Sequence, residues 1–371
     1  MLALFPEEKK KHWEKHLKQE KRPIRGSDFL KLPPEERNID LKYIDLFSVG
    51  EVDESFQGSI LLCHFGMVKY EIEGLGLPIY LSKKFPNATI HTSFHKGDHI
   101  DCIFKIDVGN KKICFNQQIL DRYDFMIGRS TALLKMQMHY PILHKKSGYK
   151  INIQTNSLKI NMAGADYYFG CQEFFAPPDP VLLSRAKQNL KSADKQNIIL
   201  LPGTVCQIKG QKNWMSMLDP GVVSDYQILI AGDPRDQQQV QEILKHTQNK
   251  NMKNVLFVGE IPFDLLVDLM CLSKITVMNH DFRPLQHPIG VSRTHGEGLG
   301  CLSLPLTPNK TVQVPPEWSH IGFQYDHEDA SSVNNILDLA IKTVDTEKIN
   351  WDFFTFQKMC DRICDRLMGS Q

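Results

Sequence analysis

Short apolar runs alternate with mixed polar and apolar stretches along most of this sequence. In the first half the apolar runs predict strands, and the mixed stretches 69–85 and 131–140 predict helices. The predicted strands of this half are 59–65, 88–94, 100–108, 123–127, 149–154 and 166–169. Strands that alternate with helices across short loops are typical of a parallel sheet whose two faces are covered. The first half therefore predicts one α/β lobe.

The second half repeats this pattern after a Pro-rich break at 176–180. Its predicted strands are 198–201, 226–231, 255–258, 275–278 and 302–304, and its predicted helices are 237–247 and 262–272. Domain boundaries tend to fall in such polar, Pro-rich segments, so we place one near residue 180. The sequence thus predicts two Rossmann-like parallel-sheet lobes facing a central cleft, where a ligand would bind at the carboxyl ends of the strands.

The composition excludes several classes of protein. The 371 residues suffice for two domains, and 44 Lys+Arg against 43 Asp+Glu leave no overall basic charge for nucleic-acid binding. The sequence contains no apolar run of about 18 residues that would predict a membrane span, and its first apolar segment is short for a signal peptide. The nine cysteines are odd in number and scattered, which is typical of reduced thiols in a cytoplasmic protein.

The N-terminal segment is basic. Its first 26 residues carry eight Lys or Arg against four Glu. Such a run is usually a solvated surface helix, and the alternative is a peripheral contact with a membrane or another anionic surface. We treat residues 1–58 as a basic extension and linker that precedes the first lobe.

The stretch 197–210, NIILLPGTVCQIKG, stands at the head of the second lobe. An apolar strand ends there in a Pro-Gly turn, and Lys209-Gly210 follows. A glycine loop with a lysine beyond it presents backbone N–H groups and one positive charge to a phosphate, although many strands end in such a turn without any ligand. Lys209 is therefore the first candidate for a phosphate contact.

From this point the order of elements resembles the GT-B fold of nucleotide-sugar glycosyltransferases, and the second half is similar to the retaining family-4 type. The resemblance is strongest over residues 197–306 and weaker over 59–196. Gly203 and Lys209-Gly210 stand at the positions of the family's Gly-Arg loop and Lys-Gly pair, with Thr204 in place of the arginine. The later motifs match at Gly232-Asp233-Pro234 and at Gly259, which Pro262 follows.

The resemblance implies a binding residue at each of these loops. It implies that Lys209 contacts the donor diphosphate, that Gly232 and Asp233 belong to the donor site, and that backbone groups of Gly259, Glu260 and Ile261 hold the nucleobase. The family's paired acids flank a helix N-terminus that meets the diphosphate. In the register that we prefer, His287 and His295 stand at the positions of those acids. Between them, Gly290, Val291, Ser292 and Arg293 form the start of the helix. This register leaves residues 299–306 to form the next strand. Glu297, two residues after His295, takes the role of the second acid if the glycine-rich helix is irregular.

The function that the resemblance implies is a metal-independent, retaining glycosyltransferase of the hexosyl or pentosyl type, with no cofactor. It would move a sugar from a nucleoside diphosphate to a hydroxyl of a glycan, a lipid or a protein-linked sugar, with Lys209 and Arg293 neutralising the leaving diphosphate. If the enzyme inverts instead, His64 and His95 are candidate bases on the first lobe, or simply polar loop residues. The implied domains are an acceptor lobe at 59–180, a donor lobe at 181–345 and a returning C-terminal helix at 346–371.

Three alternatives stay open at this point. Thr204, His287 and His295 depart from the family pattern, and these departures favour a catalytically silent GT-B protein that acts as a binding or partner subunit. A nucleotide-sugar epimerase shares the same fold. A transferase that modifies DNA bases also shares it, although the near-neutral charge counts against a nucleic-acid partner.

Overall fold

A computed structural model describes residues 5, 7–19, 41–65, 75–96, 99–153, 165–169, 180–190, 195–279, 289–290, 293–310, 312–313, 323–343 and 356–369. The chain divides into two compact units. One unit combines residues 24–181 with 350–371, and we call it the first lobe. The other combines residues 1–23 with 182–349, and we call it the later lobe. The basic N-terminal segment is thus split between the two units.

The first lobe is built on a seven-stranded sheet of order β4-β3-β2-β1-β5-β6-β7. Its strands are β1 (Ser59–Phe65), β2 (Thr89–Lys96), β3 (His99–Asp107), β4 (Lys112–Cys114), β5 (Phe125–Gly128), β6 (Tyr149–Ile153) and β7 (Tyr167–Phe169). A 3₁₀ helix covers Leu41–Leu46, and the α-helices of this lobe before residue 181 are α2 (Leu77–Lys84), α3 (Ser130–His139) and α4 (Pro141–Lys146). The part of the predicted helix 69–85 that precedes residue 75 lies outside the described residues.

One edge of this sheet differs from the predicted parallel arrangement. Strand β2 pairs with β3 in antiparallel register, as in Thr92 opposite Phe104, and β3 pairs with β4 in the same way. Only residues 97 and 98 separate β2 from β3. A connection of this length closes a hairpin, whereas a parallel crossover needs a dozen residues or more. The remaining pairs of the sheet are parallel.

The C-terminal helix α11 (Phe356–Met368) belongs to the first lobe. Its apolar stripe is buried, and it consists of Phe356, Met359, Cys360, Ile363, Cys364 and Leu367. The Tyr80 hydroxyl of α2 donates a hydrogen bond to Asp361, and the Arg366 guanidinium lies 4.3 Å from the centre of the Tyr167 ring. The 3.6-residue spacing of the stripe explains why one face of the helix is buried.

The later lobe is built on a six-stranded, wholly parallel sheet of order β10-β9-β8-β11-β13-β15. Its strands are β8 (Gln196–Pro202), β9 (Gln227–Ala231), β10 (Val255–Gly259), β11 (Ser273–Val277), β13 (Leu304–Pro308) and β15 (Phe323–Tyr325), and β12 (Ile289–Gly290) pairs with β14 (Val312–Gln313) separately. Its helices are α1 (Glu7–Gln19), α5 (Pro180–Leu190), α6 (Gln211–Met217), α7 (Gln237–Asn249), α8 (Phe263–Leu272), α9 (Arg293–Gly300) and α10 (Ala330–Thr343).

Strand β8 is apolar throughout its centre because both of its faces are covered. Ile199 and Leu201 pack in one core cluster with residues of α6, α7 and α10. Ile198 and Leu200 pack in a second cluster with residues of α1, α5 and α8. Successive side chains of a strand point to opposite faces, so a strand buried on both faces reads as a continuous apolar run.

The strand predicted at 302–304 begins later than expected. Helix α9 continues to Gly300, Leu302 takes a left-handed backbone conformation with φ 54°, and β13 starts at Leu304. The expectation that 299–306 forms one strand is therefore wrong, because Leu299 belongs to the helix. The turn is closed by the Ser303 amide, which donates to the Gly298 carbonyl oxygen at 2.8 Å.

Helix α1 is attached to the later lobe through one buried carboxylate. Asp268 of α8 is 3% exposed, and it accepts hydrogen bonds from Trp13 Nε1 at 3.0 Å and from Lys9 Nζ at 3.3 Å. Asn189 of α5 also donates to this carboxylate. No helix in the described part of the chain is both long and apolar enough to cross a membrane.

Candidate functional site

The later sheet has a topological switch point between β8 and β11. The strand order runs outward from β8 through β9 to β10 on one side, and from β11 through β13 to β15 on the other. In open α/β sheets ligands bind outside the carboxyl ends of the strands at such a point. The residues that follow these two strands are Gly203 after β8 and Asn279 two positions beyond β11.

Backbone hydrogen bonds join the loops that follow β8, β9 and β10. The Gly203 amide donates to Ala231 at 2.8 Å, and the Gly232 amide donates to Gly259 at 2.8 Å. The Val205 amide donates to Asp233 at 2.9 Å. The structure therefore brings together the glycines of three predicted motifs at one edge of the sheet.

Two of these glycines need backbone conformations that other residues seldom adopt. Gly203 has φ 107° and Gly259 has φ 78°. Gly232 is required for a different reason, because a Cβ atom there would overlap the Gly203 carbonyl oxygen. Glycine supplies both the left-handed conformation and the close backbone approach.

The loop after β8 presents a backbone donor beside open space. A Cβ atom placed on Gly203 would have no neighbour within 4 Å among the residues that the structure describes. The Thr204 amide donates to no acceptor among the described residues. A 3₁₀ turn, Gln207–Lys209, follows and ends at Gly210, whose φ is 65°. This arrangement of a backbone donor and a half-buried lysine on one short loop suits an anionic ligand.

Gln211 and Asn279 also lie at this edge of the sheet, and neither was predicted from the sequence. Gln211 is 1% exposed, and its Nε2 donates to the Thr204 carbonyl at 3.1 Å and to the Gly203 carbonyl at 3.4 Å. In the carboxamide orientation that satisfies both of its polar atoms, Asn279 accepts from the Gln211 amide at 3.3 Å and donates to the Val277 carbonyl at 3.3 Å. The signal that could have identified them is a polar residue placed directly after a glycine turn or a buried strand.

Helix α9 carries two of the candidate donor-binding residues, and both are buried. His295 is 1% exposed and Glu297 is 3% exposed. Burial lowers the pKa of His295 to about 3, so this imidazole is neutral at physiological pH. The helix is continuous over its eight residues, Arg293–Gly300. The prediction that Glu297 takes the place of the second acid required an irregular helix, and this helix is regular.

Close packing holds α9 against the sheet. A Cβ atom on Gly298 would lie 3.3 Å from Thr276 Cβ of β11, so the helix backbone lies directly on that strand. The helix leads into β13, which is parallel to β11. A crossover helix runs opposite to the strands it connects, so the α9 N-terminus at Arg293 faces the carboxyl edge of the sheet.

The other candidate residues are placed as follows. Asp233 forms an ion pair with Arg235 at 3.4 Å, Glu260 is exposed, and Ile261 packs against a core cluster. His64 and His95 lie near the carboxyl ends of the adjacent strands β1 and β2, and Gly290 lies in β12. His287, Val291 and Ser292 lie outside the described residues, as do the side chains of His64, His95 and Arg293.

No protein-family model matches this sequence, and curated proteins give no sequence match. Solved structures do match. The Anabaena protein Alr3699/HepE, in complex with UDP and glucose, matches with a TM-score of 0.52 at 12% identity, over 84% of this chain and 100% of that chain. AviGT4, a glycosyltransferase involved in avilamycin A biosynthesis, has a TM-score of 0.45 at 11% identity, over 67% of this chain and 75% of that chain.

A third similar structure is the Methanocaldococcus jannaschii UDP-GlcNAc 2-epimerase in complex with UDP-GlcNAc and UDP. It has a TM-score of 0.49 at 13% identity, over 84% of this chain and 99% of that chain. The likeness to HepE confirms the predicted fold class, two α/β lobes of the GT-B type. At such low identity it concerns the fold and not the activity.

Proposed function

We propose that this protein is a glycosyltransferase that moves a sugar from a nucleoside diphosphate to a hydroxyl acceptor. The observation that carries the proposal is the loop after β8, where Lys209 and the Thr204 amide, which donates to no acceptor among the described residues, follow the first strand at the switch point. The similar protein HepE holds UDP and glucose, which supports a nucleotide-sugar donor. No cofactor besides this donor is part of the proposal.

The chemistry follows from where negative charge develops. When the bond between the sugar and the diphosphate breaks, the electron pair leaves with the diphosphate. Lys209 and the N-terminus of α9, which begins at Arg293, would stabilise this charge. We propose that Arg293 compensates for Thr204, which stands where the family has an arginine.

The stereochemical outcome decides whether a protein base is needed. In a retaining transfer from the front face, the acceptor hydroxyl gives its proton to the departing phosphate. This route, which we favour, needs no protein base and no metal ion. In an inverting transfer a base must take that proton, and the candidates are His64 and His95 at the carboxyl edge of the first sheet.

A catalytically silent binding protein is the second candidate. The observation that favours it is His295, which stands where the resemblance places an acid that grips the ribose. It is 1% exposed, and its pKa is lowered to about 3 by burial. A buried neutral imidazole has one N–H donor and one acceptor nitrogen, whereas a carboxylate has two acceptor oxygens and accepts from two hydroxyls.

Two assays separate these candidates. A thermal-shift panel of uridine, guanosine, cytidine and adenosine diphosphates should show stabilisation by at least one nucleotide, and folded protein that responds to none would refute a nucleotide site. Incubation with the corresponding sugar nucleotides and a panel of hydroxyl acceptors should then release free diphosphate. Nucleotide binding without transfer or hydrolysis would favour the silent protein. A product of unchanged mass that separates from the donor by chromatography before mass spectrometry would indicate an epimerase.

Helix α1 supports a further contact, with an anionic surface such as a membrane. Its inner side is held by Asp268 through Lys9 and Trp13, while Lys11 and Lys15 are exposed. Clustered lysines are attracted to anionic lipid headgroups. Co-sedimentation with vesicles containing phosphatidylglycerol should fall on Lys11→Glu/Lys15→Glu substitution, and equal sedimentation of the variant would refute the contact.

A further inference from the structure

The side chain of Gln211 holds two consecutive carbonyl groups of the loop after β8. Its Nε2 lies 3.4 Å from the Gly203 oxygen and 3.1 Å from the Thr204 oxygen. The side chain is 1% exposed, so these donors face inward from the loop. The Gln211 amide therefore contacts both peptide units that flank Thr204, and the second of these units is also held by the Val205 amide, which donates to Asp233.

The orientation of a carbonyl determines where the neighbouring N–H points. The Gly203 carbonyl and the Thr204 amide belong to one peptide unit, and this unit is trans. In a trans unit the C=O and N–H bonds point in opposite directions. Because the Gly203 oxygen faces Gln211, the Thr204 N–H points away from that buried side chain. The same peptide unit packs against Gly232, whose built Cβ would lie 3.0 Å from the Thr204 nitrogen, and no described acceptor takes the Thr204 N–H.

Gln211 is itself fixed at its backbone. Its backbone amide lies 3.3 Å from the Asn279 side chain after β11, and it donates to the Asn279 carboxamide oxygen in the orientation that satisfies both groups. The glutamine thus connects the two sides of the switch point, since its backbone is bonded to the β11 side and its side chain to the β8 loop. Among the described residues no group donates to the buried Gln211 Oε1. An unsatisfied buried acceptor costs stability, so this glutamine is a poor choice for packing alone.

We propose that Gln211 is a positioning residue that directs the Thr204 N–H at the diphosphate of the donor. The inference rests on the proposed function, because it presumes a nucleoside diphosphate at this loop. Gln211 does not touch the ligand. It determines the direction of a backbone donor that does.

The test compares wild type with Gln211→Met, which keeps the shape of the side chain and removes its polar atoms. The probes are the nucleoside diphosphate that wild type binds best in the thermal-shift panel and the matching nucleoside. Gln211→Met should weaken diphosphate binding about tenfold, as expected for one hydrogen bond to a charged group, and leave nucleoside binding unchanged. Gln248→Met, an exposed substitution on α7, is the matched control and should change neither affinity.

A backbone readout distinguishes positioning from general damage. In protein labelled with ¹⁵N-threonine, the Thr204 amide resonance is assigned by its loss in Thr204→Ser. It should shift on diphosphate binding in wild type and shift much less in Gln211→Met. An equal loss of diphosphate and nucleoside affinity, or an unchanged Thr204 response, would overturn the positioning role. Wild type that binds no nucleotide would instead refute the proposed function, so the two failures are distinguishable.

Discussion

Gly232 lies so close to Gly203 that a methyl group at position 232 would overlap the Gly203 carbonyl oxygen. The contact joins the loop after β9 to the loop after β8. It lies beside the peptide unit whose N–H we assign to the donor diphosphate. The glycine of the Gly232-Asp233-Pro234 motif is therefore needed for the close packing of the loop that contains Gly203.

Gly232→Ala should displace the loop after β8. Overpacking of a close backbone contact should lower the free energy of unfolding by about 2 kcal/mol and weaken nucleotide binding. Urea denaturation and nucleotide titration measure the two effects. Gly50→Ala is the control, because its Cβ would meet Gln357 Nε2 at an ordinary 3.7 Å. If Gly232→Ala behaves like the control, the close approach does not constrain the loop.

Lys209→Ala should weaken the binding of the nucleoside diphosphate by roughly thirtyfold, or about 2 kcal/mol, because a charge-assisted contact is lost. Isothermal titration with the nucleotide identified in the thermal-shift panel measures this change. Lys212→Ala provides the comparison, since Lys212 is exposed and paired with Glu242. Equal affinities for both variants and wild type would remove Lys209 from the site.

Stability should fall in mild acid because of His295. Its folded pKa of about 3 lies below the unfolded value of 6.5, so the unfolded chain binds more protons between these two values. The contribution of this group to stability is complete above pH 6.5 and decreases as the pH falls towards 3, by about 1.4 kcal/mol at pH 5.5.

Urea denaturation of wild type and His295→Leu across this range tests the assignment. The variant should show a shallower dependence of unfolding free energy on pH, because it has no imidazole at this position to protonate. Leu299→Met on the same helix should keep the wild-type dependence, since volume-conserving core changes are tolerated. A variant with the full wild-type slope would show that other groups cause the acid sensitivity.

Asp268→Ala should detach α1 from the later lobe. The change leaves the buried Trp13 indole without its acceptor, and we expect a loss of about 2 kcal/mol. Limited trypsin digestion should then cut within α1 faster than in wild type. Asp264→Ala, on the same helix, removes an exposed carboxylate and should cost less than about 1 kcal/mol. Equal digestion of the two variants would show that Asp268 does not hold the helix.

Local patterns were sufficient to locate many elements. The strand predicted at 59–65 is β1 with the same bounds, and the helix predicted at 237–247 is α7 extended to Asn249. These predictions depend on residues close in sequence, whose spacing of two or about 3.6 reports which face is buried. The glycines at 203, 232 and 259 were identified in the same way, from their place at the ends of apolar runs.

Hydrophobic patterning and glycine positions were enough to predict two α/β lobes and the loops at which we propose that a nucleotide-sugar donor binds. The antiparallel pairing of β3 with β2, the burial of His295 and the hydrogen bonds from Gln211 to the loop after β8 became visible only in the folded chain. These features depend on contacts between elements, such as Ile199 beside Ile228 and Ile275 in the later sheet. Hydrophobic periodicity tells which side of a strand is buried, and it does not tell which strand lies beside it.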